Sequence, residues 1–387
     1  METQTLKTAD DKTNRKNRLV YAIVFFTFID LFTQLPVMST YASSLGAGAS
    51  VAGFAVGMYS LSNMFGNVLS GKMTDRFGAY AVICAGLFAT GAALLSYQAV
   101  GGVGGLLTVR FFHGFLSGLI APAAFTYLAN RTQKERQGSR SAITGSFVGI
   151  AAIVGPAYSG IMASRTSVPF VFATIAALGF ILFLIALRAL RTGSEKVRRE
   201  KKESGALRFN RGMLQAFIAA FFLMFSQGAL AFLLPLHVEA LGYSSRLSGT
   251  LMSMFGLVAV AIFLLPTNRM FDRRSPASLA AIGLGIIGLC QILIGQSGGI
   301  IALYGVLALY GFGFALLFPA MNTLLIHATN ENTRGRAYGL FYALFSIGTV
   351  AGSSGIGLVP LALELRFAAT GIALIGCAAV IQAVKTR

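Results

Sequence analysis

The chain has 387 residues, of which 55% are hydrophobic and only 11% charged. A soluble domain carries about 25% charged residues, so this composition excludes a water-facing globular surface. The formal net charge of +18 raises nucleic acid as a partner, but the basic residues are confined to one set of connections, which assigns the charge to membrane topology.

The apolar residues come in blocks of about 20, the length a helix needs to cross ~30 Å of hydrocarbon. Twelve spans are predicted: 19–41, 51–71, 79–98, 104–128, 141–163, 168–190, 212–236, 247–267, 277–296, 299–325, 337–360 and 366–384. Each must be helical, because backbone exposed to lipid has to satisfy its own hydrogen bonds. All but Arg110, Arg165, Arg246 and Arg366 of the 31 Lys and Arg residues lie in the even-numbered connections and the two tails. That asymmetry predicts a multi-pass inner-membrane (cell-membrane) protein with both termini in the cytoplasm.

The polar tail 1–18 lacks the features of a cleavable signal, so span 1 is expected to stay as an anchor. Within span 1, Thr27, Asp30 and Gln34 fall at i, i+3 and i+7 and form one polar stripe. Asp30 lies about 16 Å into the span, near the midplane. An ionised carboxylate there is expensive, so it takes up a proton or meets a cation or water. A proton carrier needs that behaviour; a ligand for a cationic substrate and a structural partner of Arg110 are the other readings. Span 2 carries a second stripe, Ser60, Asn63, Asn67 and Ser70, for which interhelical hydrogen bonding and substrate contact are equal readings.

The first cytoplasmic connection reads Gly71-Lys72-Met73-Thr74-Asp75-Arg76-Phe77-Gly78. Gly71 permits close helix approach and Gly78 a tight turn. Asp75, beside Arg76, is placed to face a helix N-terminus or an Arg of the other half, and a contact of that kind biases two rocking states; a plain helix cap is the simpler reading. Span 4 holds Arg110 and His113. The arginine must face a cavity or partner, or snorkel to the outer surface, and the histidine either relays protons or is simply hydrogen-bonded. In span 5, Gly145, Gly149 and Gly155 offer close packing, and Pro156 removes a backbone hydrogen bond and can kink the helix.

Residues 191–211 read as a basic cytoplasmic linker lying against anionic lipid. The expected organisation is a tail (1–18), a six-helix bundle (19–190), the linker (191–211) and a second bundle (212–387). In the second half, Gln227 (span 7) and Asn322 (span 10) are isolated polar residues, while Tyr338, Tyr342, Ser346 and Thr349 line one face of span 11. Gly283-Leu284-Gly285-Ile286-Ile287-Gly288 spells a dinucleotide-binding pattern inside span 9, without a strand before it, and is read as a packing surface. Cys84, Cys290 and Cys377 fall inside spans and read as apolar packing residues. With no metal cluster, nucleophile–base set or phosphate loop, no cofactor, metal or enzymatic activity is expected.

An offset of about 197 residues superposes the halves. Lys72-Met73-Thr74-Asp75-Arg76 meets Arg269-Met270-Phe271-Asp272-Arg273, which makes Asp272 and Arg273 the weaker counterpart of the first connection. Pro122 meets Pro319, Gly155 meets Gly352, and, at 196, Phe25-Phe26 and Gly46 meet Phe221-Phe222 and Gly242. A duplicated six-helix unit points to a secondary transporter with its site near the midplane.

The motif residues carry a family resemblance. The Gly71–Gly78 connection resembles the loop motif of the major facilitator superfamily, Gly-x-x-x-Asp-Arg/Lys-x-Gly, although Ala79 and Tyr80 replace its closing basic pair. Arg110 with Gly114 resembles the family's intramembrane Arg motif, with His113 where Gln is usual. Gly155-Pro156 is similar to the motif of the family's twelve-helix drug:proton antiporters, with Ala151 and Ser159 standing for Gly. The resemblance implies an all-α membrane fold of twelve helices in two six-helix repeats. It also implies a proton-coupled exporter of a small amphipathic molecule, working by alternating access as a monomer in the bilayer with protons and substrate as its partners. A proton-coupled uptake symporter and a non-transporting sensor of the same fold are the alternatives.

Overall fold

The computed structural model describes residues 2–190, 207–243, 247–265 and 274–383, and no strand occurs among them. The helices are α1 (Glu2–Gln34), α2 (Met38–Ser44), α3 (Ala49–Phe77), α4 (Ala79–Leu95), α5 (Val103–Ser117), α6 (Ile120–Asn130), α7 (Gln137–Arg165), α8 (Val168–Ala189), α9 (Arg211–Ala240), α10 (Leu247–Leu264), α11 (Pro276–Gln296), α12 (Ile300–His327), α13 (Arg334–Val350) and α14 (Leu363–Ala383). Most of the expected linker, residues 191–206, lies outside the described residues, as do Asp272 and Arg273.

Among the described residues, nine spans are long and apolar enough to cross a membrane, with α5 and α6 together forming one of them. The other three predicted spans are α1, α3 and α13. Two of these carry the polar stripes of the first half, and α13 is only 17 residues long before its geometry changes. Phe54, Phe88, Leu184, Leu257 and Ile372 are all more than half exposed, which suits hydrocarbon and not water.

Prolines explain where the predicted spans are cut. Span 1 ends at Gln34, because the residue before Pro36 is pushed out of the helical region; α2 then takes up the chain. In span 4, Pro122 has no N–H to offer the Gly118 carbonyl, and the helix is interrupted between Ser117 and Ile120. Its repeat counterpart Pro319 sits inside an unbroken α12. Pro156 likewise lies within a continuous α7, and at the equivalent place in the second half Ala351–Gly355 winds as a π-helix following α13. Both repeats therefore depart from regular α-helical hydrogen bonding at this level, one through a proline and the other through a π-turn.

The chain forms two compact units. The first comprises Met1–Arg131, Val154–Ala206 and Glu331–Gly339. Glycines set its close packing: a Cβ on Gly114 would meet Tyr59 and Ser62, and one on Gly155 would lie 2.9 Å from Phe32 Cβ. Gly78 joins α3 to α4 at φ 85°, a conformation that favours glycine.

The second unit comprises Thr132–Ile153, Leu207–Asn330 and Leu340–Arg387. Gly145 faces Phe263 and Phe318, Gly149 faces Val260, and Gly311 packs on the backbone of Phe255. Gly283 and Gly288, from the dinucleotide-like sequence, lie against Gly313 and Gly371 as helix contacts. Cys84 and Cys290 are buried, and Cys377 is partly so.

Candidate functional site

In the first unit, the stripe of α1 meets a stripe of α5. Arg110, His113 and Ser117 recur at i, i+3 and i+7, the spacing of Thr27, Asp30 and Gln34, so each helix turns its polar residues to one face. Asp30, Gln34, Tyr59, Arg110, His113 and Ser117 are all nearly or fully buried. Thr27 stands apart: its hydroxyl donates to the Ile23 carbonyl of its own helix.

The Asp30 carboxylate is ringed by donors. Gln34 Nε2 donates to Oδ1 at 3.0 Å and to the Asp30 carbonyl at 2.9 Å. Ser117 Oγ donates to Oδ2 at 3.1 Å, and Tyr59 Oη lies 3.3 Å from the same oxygen and 2.9 Å from Ser117 Oγ. His113 Nε2 is 3.2 Å from each carboxylate oxygen.

Arg110 does not reach the carboxylate. Nε donates to the Ala55 carbonyl at 2.8 Å and Nη2 to that of Val56 at 3.0 Å, while Nη1 donates to Gln34 Oε1. Its guanidinium also stands 5.1 Å from the Tyr59 ring centroid, over the face. The Gln34 amide thus bridges the cation and the anion, taking a bond from Arg110 and giving one to Asp30. At 2% exposure, Arg110 is held inside the unit and does not snorkel to a surface. A buried charge is tolerated when hydrogen bonds replace its hydration: each of the three Arg110 nitrogens reaches an acceptor, and both Asp30 carboxylate oxygens meet donors.

The span 2 stripe serves this site as a brace. Asn63 Nδ2 donates to the Gly114 carbonyl of α5 at 3.1 Å, Asn67 Nδ2 donates to Asn63 Oδ1 at 2.8 Å, and Ser70 Oγ donates to the Leu119 carbonyl at 2.6 Å. Tyr59, on the same face four residues before Asn63, and Ser117 and Tyr97 are site residues that the sequence reading missed. Extending each stripe by one helical repeat finds Tyr59 and Ser117; Tyr97 lies in a single turn after α4 and carries no such signal.

A second cluster gathers around Asp75, at the end of α3 beyond its apolar part. Oδ1 accepts from the Gly335 amide at 2.8 Å; Oδ2 accepts from the Arg336 amide at 3.1 Å and from Arg336 Nε at 2.8 Å. The amides belong to the first turn of α13, whose N–H groups lack helical partners and whose dipole favours an anion. Burial pushes the Asp75 carboxyl above its ordinary range, while Arg336 and the two amides pull it back. Gly71 makes the approach possible: a Cβ there would lie 2.6 Å from the Gly335 carbonyl and would crowd Gly339. Arg76 takes no part, its guanidinium lying over the Phe77 ring instead.

The remaining candidates are scattered. Tyr338 is buried with its ring 5.8 Å from Phe125 in the first unit. In the second unit, Tyr342 is buried beside Phe341 and accepts Ser346 Oγ at its carbonyl. Asn322 Nδ2 donates back to Phe318, leaving its Oδ1 without a partner among the described residues; Gln227 Nε2 is in the same position. No group of His, Cys, Asp and Glu among the described residues has the makings of a metal site.

Comparisons with known proteins agree with this architecture. Residues 20–353 match the Major Facilitator Superfamily. The chain is 25% identical to an uncharacterized MFS-type transporter of Methanocaldococcus jannaschii, over 88% of this chain and 90% of that one. Shorter matches join it to the agnestins efflux protein AgnL12 of Paecilomyces divaricatus, at 25% identity over 44% of this chain and 40% of that protein. The quinolone resistance protein NorA of Staphylococcus aureus matches at 24% over 45% of each chain. Two solved structures share the fold. The human organic anion transporter MFSD10 has a TM-score of 0.76 and 15% identity, covering 96% of this chain and 98% of that one. The proton:xylose symporter XylE has a TM-score of 0.79 and 12% identity, covering 97% and 96%. With its duplicated helical repeats, its membrane-spanning helices and a family match across most of its length, the chain belongs to the Major Facilitator Superfamily of membrane transporters.

Proposed function

We propose that the protein is a proton-coupled exporter of a small amphipathic molecule, acting as a monomer by alternating access in the cell membrane with both termini in the cytoplasm. The observation that carries this reading is Asp30, a carboxylate buried in a membrane helix among neutral donors and an imidazole. A group so placed gains or loses a proton at a large electrostatic advantage when its surroundings change. In the cycle, Asp30 takes a proton from outside as substrate leaves, the repeats rock, and loss of the proton inside restores affinity. Gln34 transmits the field of Arg110 to the carboxylate without quenching its charge. The Asp75 contact with the start of α13 serves as the conformational switch, with Gly71 and Gly78 shaping it. Asn322, Gln227, Tyr342 and Ser346 supply polar points for substrate. Export is supported by relatives named for efflux and resistance and by the Gly155-Pro156 sequence. One proton crossing ~100 mV provides roughly 2.3 kcal/mol, enough for about a fiftyfold gradient of a neutral substrate.

The test is proton movement in inside-out vesicles with an acidified lumen, using a quinolone and a panel of lipophilic cations. Export predicts that compound added outside the vesicles releases luminal protons. Protons that leave only together with compound loaded in the lumen identify an uptake symporter and overturn export.

A further inference from the structure

His113 has both ring nitrogens occupied, and the second one leads away from Asp30. Tyr97 Oη lies 3.2 Å from Nδ1. The Tyr97 side chain is wholly buried, its ring 4.4 Å from that of Phe172 on α8, and it meets the imidazole edge-on. Its backbone lies in the turn Ser96–Ala99, where Ser96 and Gln98 are exposed. The titratable and charged groups around the imidazole are Asp30 from α1, Tyr59 from α3, Tyr97 from the turn and Arg110 from its own helix. Tyr41 of α2 and Arg110 also act on Tyr97 electrostatically.

A neutral imidazole has one donor and one acceptor nitrogen. An ionised Asp30 only accepts, so Nε2 carries the proton and Nδ1 accepts from Tyr97 Oη–H. A protonated Asp30 can donate to Nε2, and Nδ1–H then donates to Tyr97 Oη. We propose that Tyr97, His113 and Asp30 form a proton relay in which Tyr97 positions the imidazole and the tautomer of His113 records the protonation of Asp30. This rests on the reading of Asp30 as the coupling carboxylate. The transfer balances with one hydronium as donor: in the state in which the turn Ser96–Ala99 admits water, it gives a proton to Tyr97 Oη and leaves as water, the Tyr97 proton passes to Nδ1, and the Nε2 proton passes to Asp30. One proton is delivered, Tyr97 is unchanged, and His113 is left as the Nδ1–H tautomer. After Asp30 has lost its proton, exchange of the Nδ1 proton for one on Nε2 restores the starting tautomer.

The experiment uses the full chain with His237→Gln and His327→Gln, so that nitrogen-15 NMR reports His113 alone, together with proton-driven uptake of a quinolone or lipophilic cation into inside-out vesicles across a pH series. The relay predicts that His113 changes tautomer over the pH range in which Asp30 titrates. It also predicts that Tyr97→Phe, which keeps the ring packing on Phe172, slows proton-driven transport roughly tenfold or more and displaces its pH midpoint. A Tyr97→Phe protein whose transport scales equally at every pH, with the tautomer change intact, overturns the relay and leaves Tyr97 a packing residue. Should that variant fail to fold, the spectrum of the Tyr97-containing chain decides alone, and a tautomer constant through the Asp30 titration overturns the relay. Proton coupling that survives Asp30→Asn overturns the coupling role itself, a separate failure.

Discussion

The two repeats place different chemistry on the same skeleton. At the duplication offset, Asp30 corresponds to Ser226, His113 to Tyr310, Gly114 to Gly311 and Arg110 to Leu307. In the first unit, Asp30 and His113 join α1 to α5. In the second, Ser226 Oγ and Tyr310 Oη join α9 to α12 at 2.8 Å, and Gln291 Nε2 donates to Ser226 Oγ at 2.9 Å and to its carbonyl at 3.0 Å. A ring meets each cluster edge-on, Tyr59 at His113 and Phe255 at Tyr310. One cluster is ionisable and the other is neutral. A buried hydrogen bond is thus enough to join the two helices, and the charged cluster adds an ionisable group that this contact does not require.

The comparison breaks most severely if charge is moved to the second repeat. Leu307 is fully buried, and Leu307→Arg would find Leu230 where the first repeat has Gln34, with no side-chain acceptor there to receive it. An unpaired buried charge is destabilising by about 3–5 kcal/mol, so detergent-solubilised Leu307→Arg should yield little monodisperse protein. Recovery at the level of the parent chain would show that the second repeat tolerates charge as the first does.

Glycine substitutions test the shared skeleton. A Cβ at Gly114 would lie 2.3 Å from the Tyr59 carbonyl, and one at Gly311 would lie 2.4 Å from that of Phe255. Gly114→Ala and Gly311→Ala should therefore lower thermal stability by similar amounts, about 1–3 kcal/mol. A large difference between them would mean that the repeats pack by different rules.

Removing the neutral hydrogen bond is a milder change. Ser226→Ala leaves Tyr310 Oη without this partner and should reduce stability by about 1 kcal/mol, while proton coupling persists. Loss of coupling in Ser226→Ala would contradict the division of labour between the clusters.

The smallest effect concerns Asp75. Its folded-state carboxyl is raised by burial, so the folded protein holds a proton that the unfolded chain has already released. This contribution to stability is fully present below the unfolded value and is lost as pH rises through the folded one. Thermal melts should show a shallow decline in stability with rising pH across that range, and Asp75→Asn should flatten it.

Much of the fold was legible because membrane helices announce themselves by apolar length and by where Lys and Arg collect. The same contrast exposed Asp30, Gln34, Arg110 and His113, since a polar or ionisable group inside hydrocarbon has few bland explanations. Tyr59 and Ser117 were hidden because hydroxyls in apolar helices are common and often bond to their own backbone, as Thr27 does. Tyr97 was hidden by its place in a turn, where helical spacing gives no register. Between Arg334 and Arg336, only packing decides which one meets Asp75. The sequence signals a helix irregularity at Pro156 only; Ala351–Gly355 contains no proline, and its π-turn arises in a segment where Gly352 lies against the Phe225 carbonyl.

The proposed coupling rests on Asp30 as the carrier of the proton. The most direct test measures luminal proton release driven by the most active compound of the quinolone and lipophilic-cation panel, comparing the parent chain with Asp30→Asn. The account predicts that Asp30→Asn reaches the membrane folded and still exchanges substrate down its gradient, but releases no protons and builds no gradient. Proton release and accumulation at the parent rate in Asp30→Asn would contradict it.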